Sequence, residues 1–399
     1  MTRANERLKV LAAGVLSIVL TLGVARFAYT PLLPLMQQQA GLGVNEAGWL
    51  ASINYVGYLC GALIASSIGD PAMKDRLFRL GVIVAVVTTA MMGATENFWI
   101  WAISRFFAGL SASAGMLFGT GLILNWLIRN DYRGELGIAF SGLGLGVVGA
   151  AAAVMAMNVA GLGWSAQWWV FTAIALALSV PSLAWMPRSD RSPVTRSGQP
   201  MPDNPPGRLF LIVFMAAYFC AGVGYVVTAT FIVAIVDHLP GFAGSGTLVF
   251  LAIGLGATPA SALWDVVARR IGELPAMTVA GALQIIGILL PLLAHNLVVS
   301  LIGALVFGAT VVGLVSLVLT MAGRFYPTGP AKMMGRMTLS YGAAQVIAPA
   351  LTGAAAASFG GYDAGVYLAA AATALGTALL AGLWAAERSS TKKGLPIVP

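Results

Sequence analysis

Two arginines lie inside apolar segments of this chain, where an arginine side chain is costly to keep. Arg26 lies within residues 10–36, and Arg105 lies within residues 97–127. An arginine near the centre of a membrane-spanning helix costs at least about 2.5–3.5 kcal/mol on insertion scales. The planar guanidinium suits a carboxylate or a phosphate, to which it donates two parallel hydrogen bonds. The two arginines therefore predict a binding site for an anion.

Helical rise places the two arginines at similar depth. At 1.5 Å per residue, Arg26 is roughly 15 Å from Met36, and Arg105 is roughly 13 Å from Glu96. Every Asp and Glu lies in a predicted loop or at the end of a span, so no acid of the chain is placed at mid-membrane to neutralise them. An anionic substrate is then the natural counter-ion. A second interpretation of Arg105 stays open, in which it is structural and donates to backbone carbonyls and waters.

The composition predicts a membrane protein with many spans. The chain has 399 residues, of which 59% are hydrophobic and 9% are charged, whereas soluble domains carry about 25% charged residues. The net charge of +8 lies in short loops between apolar spans, which fits the positive-inside rule better than a nucleic-acid-binding face. We therefore predict a multi-pass membrane protein that lies in the lipid bilayer and does not bind nucleic acid.

Hydropathy and turn residues predict an all-α integral membrane fold with twelve transmembrane helices in two six-helix bundles. The predicted spans are 10–36, 46–68, 78–94, 97–127, 135–158, 164–186, 208–236, 245–264, 275–293, 296–322, 335–358 and 363–386. Residues 1–187 are the predicted N-terminal bundle, and residues 208–399 are the C-terminal bundle. Residues 188–207, rich in Pro, Ser and Arg, are a predicted flexible cytoplasmic linker.

The basic residues support this topology. All Lys and Arg residues other than Arg26 and Arg105 fall in the two termini or in the even-numbered loops, and the odd-numbered loops have none. Basic residues are retained on the cytoplasmic side of a membrane. Both termini and the linker are therefore predicted to be cytoplasmic.

The two halves of the chain also repeat at a constant offset of 199 residues. The pairs that match are Gly23 with Gly222, Gly57 with Gly256, Asn97 with Asn296, and Gly109 with Gly308. Parallel repeats of six spans are a common plan of transporters, with the substrate site at the repeat interface. Under this offset Arg26 corresponds to Tyr225, and Arg105 corresponds to Ala304. The positive charge is therefore confined to the first half.

Uncharged polar residues within the spans are further candidates for substrate contacts. They are Tyr225, Asn54, Tyr58, Tyr341 and Gln345. Buried residues of these types often serve only to bridge helices by hydrogen bonds, so this interpretation stays open for each of them. Tyr225 is favoured because it occupies the repeat position of Arg26.

Several motifs resemble those of the major facilitator superfamily. Arg105-Phe-Phe-Ala-Gly109 resembles its fourth-span Arg-x-x-x-Gly motif, and Arg133-Gly-Glu-Leu-Gly137 resembles its loop before span 5. The segment GDPAMKDRLFR keeps part of its loop after span 2 without the usual spacing. Gly142-x-x-x-Gly146 resembles a fifth-span motif of antiporters, but Val147 stands where that motif has proline.

The span-1 phrase RFAYTPLLPLM resembles an uncharacterised bacterial branch of this superfamily. The resemblance implies a secondary transporter of the bacterial inner membrane that works by alternating access, with spans 1, 4, 7 and 10 around a central cavity. We expect a monomeric carrier of a small organic anion, in which Arg26 and Arg105 clamp the acidic group. No mid-membrane acid is present to carry a proton, which favours uniport, anion exchange, or symport in which substrate and proton enter together. The alternatives are efflux of neutral or amphiphilic compounds, and a membrane sensor without transport activity.

Enzymatic, metal and cofactor chemistry is not predicted. The sequence has no HExxH, no GxSxG and no P-loop. Its two histidines, His238 and His295, lie near span ends and have no second ligand at metal spacing. We therefore expect no catalytic residues, no metal site and no cofactor.

Overall fold

The structure is a computed structural model that describes residues 3–190, 192, 194–237, 246–294, 296–359 and 363–392. Two of its long helices contain a π-helical segment. These are α1, which comprises Arg3–Ile18, the π segment Val19–Phe27 and Tyr29–Gln39, and α4, which comprises Phe98–Ser113, the π segment Ala114–Gly119 and Thr120–Arg129. The others are α2 (Val44–Ser67), α3 (Pro71–Ala94), α5 (Gly137–Val159), α6 (Trp164–Trp185), α7 (Arg208–Asp237), α8 (Gly246–Ile271), α9 (Glu273–Ala294), α10 (Leu297–Arg324), α11 (Pro330–Phe359) and α12 (Asp363–Lys392).

The predicted all-α membrane fold is confirmed. Eleven helices of the described residues are long and apolar enough to cross a membrane. The remaining predicted span, 335–358, lies within α11. Helices that satisfy their own backbone hydrogen bonds are one of the two structures that can span a bilayer.

The chain forms two compact units. Unit 1 comprises Met1–Pro202 and Pro327–Arg336, and unit 2 comprises Asp203–Tyr326 and Met337–Pro399. The short segment Pro327–Arg336, which includes the start of α11, therefore packs with α1–α6. Asn125 of α4 donates to the carbonyl of Pro327 at 2.7 Å, which anchors this segment on unit 1.

Helix α3 begins earlier than the sequence predicts. The predicted span starts at residue 78, but the helix starts at Pro71, and its N-cap Asp70 accepts a hydrogen bond from the amide of Ala72. A capping Asp followed by Pro in the first turn is a strong helix start. Lys74 and Asp75, predicted to lie in a loop, consequently lie in the first turns of α3.

The linker differs from the flexible tether that its composition predicts. The amide of Arg196 donates to the carbonyl of Arg129 at 2.7 Å, and the hydroxyl of Ser197 donates to Asp131 at 2.7 Å. Hydrogen bonds from Ser197 and Thr195 hold the pKa of Asp131 below its usual value. This part of the linker is therefore fixed to the end of α4 by specific polar contacts that composition does not encode.

The predicted repeat appears as the same helix crossing in each unit. In unit 1, a Cβ on Gly57 would collide with the carbonyl of Phe106, and a Cβ on Gly109 would collide with the carbonyl of Asn54. Small residues let two membrane helices approach at backbone distance. The two glycines are therefore what allows α2 and α4 to cross so closely.

In unit 2, Gly256 and Gly308 do the same for α8 and α10. A Cβ on Gly256 would collide with the carbonyl of Leu305, and a Cβ on Gly308 would collide with the carbonyl of Ile253. The two asparagines that match under the same offset also share a role. Asn97 caps the N-terminus of α4, and Asn296 caps the N-terminus of α10. These shared positions support a duplicated six-helix plan.

We expect Gly109→Ala to destabilise the protein, because the added methyl group would collide with the backbone carbonyl of Asn54. Overpacking of this kind costs about 1–3 kcal/mol. Gly149→Ala on α5 is the matched control, since a Cβ there meets nothing within 4 Å and the change should be neutral or stabilising. Thermal unfolding in detergent compares the two variants, and equal melting temperatures would contradict the close crossing.

Candidate functional site

The site is built on the π-helical segment Val19–Phe27 of α1. Its helix register is widened, as the amide of Ala28 donates to the carbonyl of Gly23, five residues earlier. Gly23 also packs directly on α5, where a Cβ would lie 2.5 Å from the Cα of Gly146. π-Helical segments occur frequently at functional sites, and Arg26 lies in the last turn of this one.

Arg105 of α4 is hydrogen bonded to the backbone of this segment. Its guanidinium donates to the carbonyl of Ala25 at 3.1 Å and to the carbonyl of Arg26 at 3.2 Å. In the widened register the carbonyl of Arg26 would pair with residue 31, which is a proline and has no N–H. The guanidinium therefore supplies donors where the helix itself has none.

Arg105 is enclosed on its other sides. The side chain is 3% exposed, and its guanidinium carbon lies 4.5 Å from the ring centroid of Tyr29. The carbonyl of Arg105 accepts a hydrogen bond of 2.8 Å from the side-chain amide of Asn54 on α2. Asn54 is 1% exposed, so this amide bridges two helices. These contacts match the structural interpretation of Arg105 and the helix-bridging interpretation of Asn54.

Arg26 has a different environment. Its side chain is 7% exposed, and its guanidinium carbon lies 4.5 Å from the ring centroid of Tyr58 and 4.8 Å from that of Tyr55. The ring of Phe27 is 5.3 Å away. Rings placed in this way attract the cation through their negative faces. Tyr58 is itself fixed, as its hydroxyl contacts the sulfur of Met116 at 3.0 Å.

The guanidinium of Arg26 has no hydrogen-bond acceptor and no carboxylate partner within the part of the chain that the structure describes. Cation–π contacts contribute about 0.5–2 kcal/mol each. Removing an ion from water costs several kcal/mol even after relaxation. The rings therefore compensate only part of the cost, and the N–H groups of Arg26 remain available to a ligand.

In unit 2, Tyr225 and Tyr341 belong to one aromatic cluster. Their ring centroids are 5.8 Å apart, and Tyr225 also stacks on Phe307 at 6.4 Å. Tyr341 contacts Tyr218 at 4.7 Å on its other side. Gln345 follows Tyr341 by one turn of α11 and is 8% exposed. The repeat position of Arg26 is thus occupied by an uncharged stacked ring.

The structure brings together four of the predicted site residues in unit 1: Arg26, Arg105, Asn54 and Tyr58. Sequence reasoning missed Tyr55 and Tyr29. Tyr55 could have been predicted from the sequence, because it precedes Tyr58 by three residues and therefore lies on the same face of α2. The contact between Tyr29 and Arg105 joins residues far apart in sequence, so no local pattern indicates it.

No group of three or more His, Cys, Asp or Glu residues that could hold a metal ion is present among the residues described. The predictions for His238 and His295 concern positions outside the described residues. Cys60 and Cys220 are free thiols.

Solved structures share this fold. The transporter FucP of the major facilitator superfamily, in its outward conformation, superposes with a TM-score of 0.64, at 14% identity over 92% of this chain and 97% of that chain. A variant of the E. coli fucose:proton symporter FucP gives a TM-score of 0.62, at 14% identity and the same coverage. At this identity the likeness shows the fold alone.

Curated relatives are themselves described as transporters. The uncharacterised MFS-type transporter YceJ of Bacillus subtilis (strain 168) is 28% identical over 225 residues, which is 54% of this chain and 55% of that protein. The uncharacterised transporter YgaY of Escherichia coli O157:H7 is 26% identical over 195 residues, 47% of this chain and 48% of that protein. The matched region thus spans about half the length of these relatives.

A family profile described as the uncharacterised MFS-type transporter YbfB matches residues 18–381, which is nearly the whole chain. The match includes both arginines, the π-helical segments and all of α2 to α11. Together with the fold and the arrangement of apolar helices, it establishes that this chain belongs to the YbfB family of MFS-type transporters.

Proposed function

We propose that this MFS-type transporter carries a small organic anion and that Arg26 binds the acidic group of the substrate. The observation that carries this proposal is the buried guanidinium of Arg26, which has aromatic neighbours and no hydrogen-bond acceptor within the described residues. A buried cation inside a membrane-spanning helix indicates a functional site, because it is costly to keep there. An anion that enters the site would supply the missing counter-charge.

The acidic group that we favour is one that matches the N–H groups of Arg26. Tyr55 and Tyr58 lie at cation–π distance from the guanidinium carbon and attract its charge, but its N–H groups have no hydrogen-bond acceptor within the described residues. Those N–H groups form a fork that fits a carboxylate with two parallel hydrogen bonds. A carboxylate is therefore the acidic group that we favour.

Arg105 has a positioning role in this proposal. Its two terminal nitrogens donate to the carbonyls of Ala25 and Arg26, so it holds the backbone of the residue that we propose binds the substrate. Its buried Nε has no hydrogen-bond partner within the described residues. The expected clamp of two arginines is thus replaced by one binding arginine and one supporting arginine. Substrate contacts by Tyr225, Tyr341 and Gln345 of unit 2 stay predictions.

The transport mode follows from the charges of the spans. No acid lies in the middle of a span in the sequence, so a proton has no carboxylate relay of the kind that pumps and transporters use. We favour uniport, anion exchange, or symport in which a proton enters bound to the substrate. The predicted location is the bacterial inner membrane with both termini in the cytoplasm.

We expect Arg26→Gln to abolish the transport of organic anions. Loss of a charge-assisted bidentate pair removes about 3 kcal/mol, which is roughly a hundredfold in affinity. Counterflow of a panel of radiolabelled carboxylates in proteoliposomes measures this, with Arg26→Lys expected to keep partial activity. Arg76→Gln is the matched control, since Arg76 is exposed at the predicted cytoplasmic end of α3. Carboxylate flux that Arg26→Gln leaves intact would contradict the proposal, and flux of neutral compounds alone would favour efflux.

The two arginines should also differ in their effect on stability. Arg26→Gln is expected to leave the melting temperature unchanged or to raise it, because it removes a buried charge without a counter-ion. Arg105→Gln is expected to lower it, because it leaves two carbonyls at membrane depth without donors, a loss of about 3 kcal/mol or more. Thermal unfolding of the substrate-free protein in detergent compares them. The opposite order would show that Arg26, and not Arg105, supports the helix.

A further inference from the structure

A second concentration of positive charge lies at the end of unit 1 that the positive-inside rule assigns to the cytoplasm. It surrounds an open cavity of about 450 Å³. Arg129, Arg188 and Arg196 line this cavity together with Asn125, Trp126 and Asp190. We name it the cationic pocket. Its size is within the range of small-molecule sites in proteins.

We propose that the cationic pocket binds a phosphate-bearing anion. Its three arginines come from two segments: Arg129 from the end of α4, and Arg188 and Arg196 from the linker. A phosphate group offers more acceptor oxygens than a carboxylate and can carry two negative charges, so it can engage several guanidinium groups at once. This site is separate from Arg26 and does not depend on the proposed substrate.

Arg129 forms the fixed base of the cationic pocket. Its guanidinium donates to the carbonyl of Ser192 at 2.6 Å and to that of Asp190 at 3.0 Å. Its Nε is buried and has no hydrogen-bond partner within the described residues. The two hydrogen bonds fix the linker backbone at Asp190 and Ser192 beside the cavity.

Arg188 and Arg196 are the two arginines of the cationic pocket that are available to bind an anion. The side chain of Arg188 is 78% exposed, and its partner Asp75 is 3.8 Å away, at the limit of an ion pair. The side chain of Arg196 is exposed and has no hydrogen bond or ion pair within the described residues. Both can turn towards a bound anion at little cost.

Asp190, the acidic residue that lines the cationic pocket, neutralises only part of the positive charge of the three arginines. Asp190 lies 3.4 Å from Arg129, and its carboxylate accepts a hydrogen bond of 2.8 Å from the amide of Ser192. Three arginines against one aspartate leave two positive charges in excess. An adjoining cavity of about 20 Å³ adds Lys74, whose buried ammonium has no hydrogen-bond partner in the part of the chain that the structure describes.

The phosphate could come from an anionic phospholipid or from a soluble compound, and two probes separate these sources. The lipid probe is the full-length protein in nanodiscs of phosphatidylglycerol, compared with nanodiscs of phosphatidylcholine. The soluble probe is pyrophosphate added to the protein in detergent. The melting temperature is the measurement for both, because a ligand that binds only the folded state stabilises it.

We expect one of the two probes to raise the melting temperature of the unaltered protein, and R188Q combined with R196Q to remove most of that shift. Each arginine near an anionic surface contributes about fivefold in affinity, so a weakening of roughly twenty-five-fold is expected for the two. R76Q, an exposed arginine of the same end that does not line the cavity, should keep the full shift. Monodisperse gel filtration and an unaltered melting temperature in phosphatidylcholine establish that the double variant is folded.

A response to phosphatidylglycerol alone identifies a lipid headgroup, and a response to pyrophosphate identifies a soluble phosphate. Two results would overturn the proposal. One is that neither probe shifts the melting temperature of the unaltered protein. The other is that the double variant responds as strongly as R76Q.

Discussion

Two backbone carbonyls of α1, those of Ala25 and Arg26, accept hydrogen bonds from the guanidinium of Arg105. In a bilayer an unsatisfied backbone group costs several kcal/mol, because no water is present to replace the lost partner. A π-helical segment followed by a proline therefore needs a hydrogen-bond donor from outside its own backbone ladder, such as a neighbouring helix, a Ser or Thr side chain or a water. Arg105 provides that donor, and the backbone of Arg26 takes its position from it.

The two arginines have different hydrogen-bonding environments. Both are buried in apolar spans, and both contact tyrosine rings. The terminal nitrogens of Arg105 donate to protein carbonyls, whereas the donors of Arg26 have no acceptor within the described residues. A buried charge without a counter-ion is costly, and the binding of an anion would lower that cost. This difference in hydrogen bonding is why we propose a supporting role for Arg105 and anion binding for Arg26.

The repeat preserves the framework and changes the chemistry. The glycines that let α2 cross α4 have their counterparts where α8 crosses α10, and asparagines cap α4 and α10 in the same way. Backbone contacts at helix crossings tolerate little change, since an added methyl group would meet a carbonyl. The polar positions are free of this constraint. Tyr225 and Ala304 stand where the first half has its arginines.

By itself the sequence determined the fold class, the apolar spans and the segregation of basic residues, because membrane insertion depends on local hydropathy and charge. It also indicated that Arg26 and Arg105 are unusual, since their depth follows from helical rise. Only the tertiary structure decided which arginine is satisfied, that Asn54 bridges two helices, and that the linker is bonded to Arg129. Those outcomes depend on partners distant along the chain, and composition does not encode the direction in which a buried donor points.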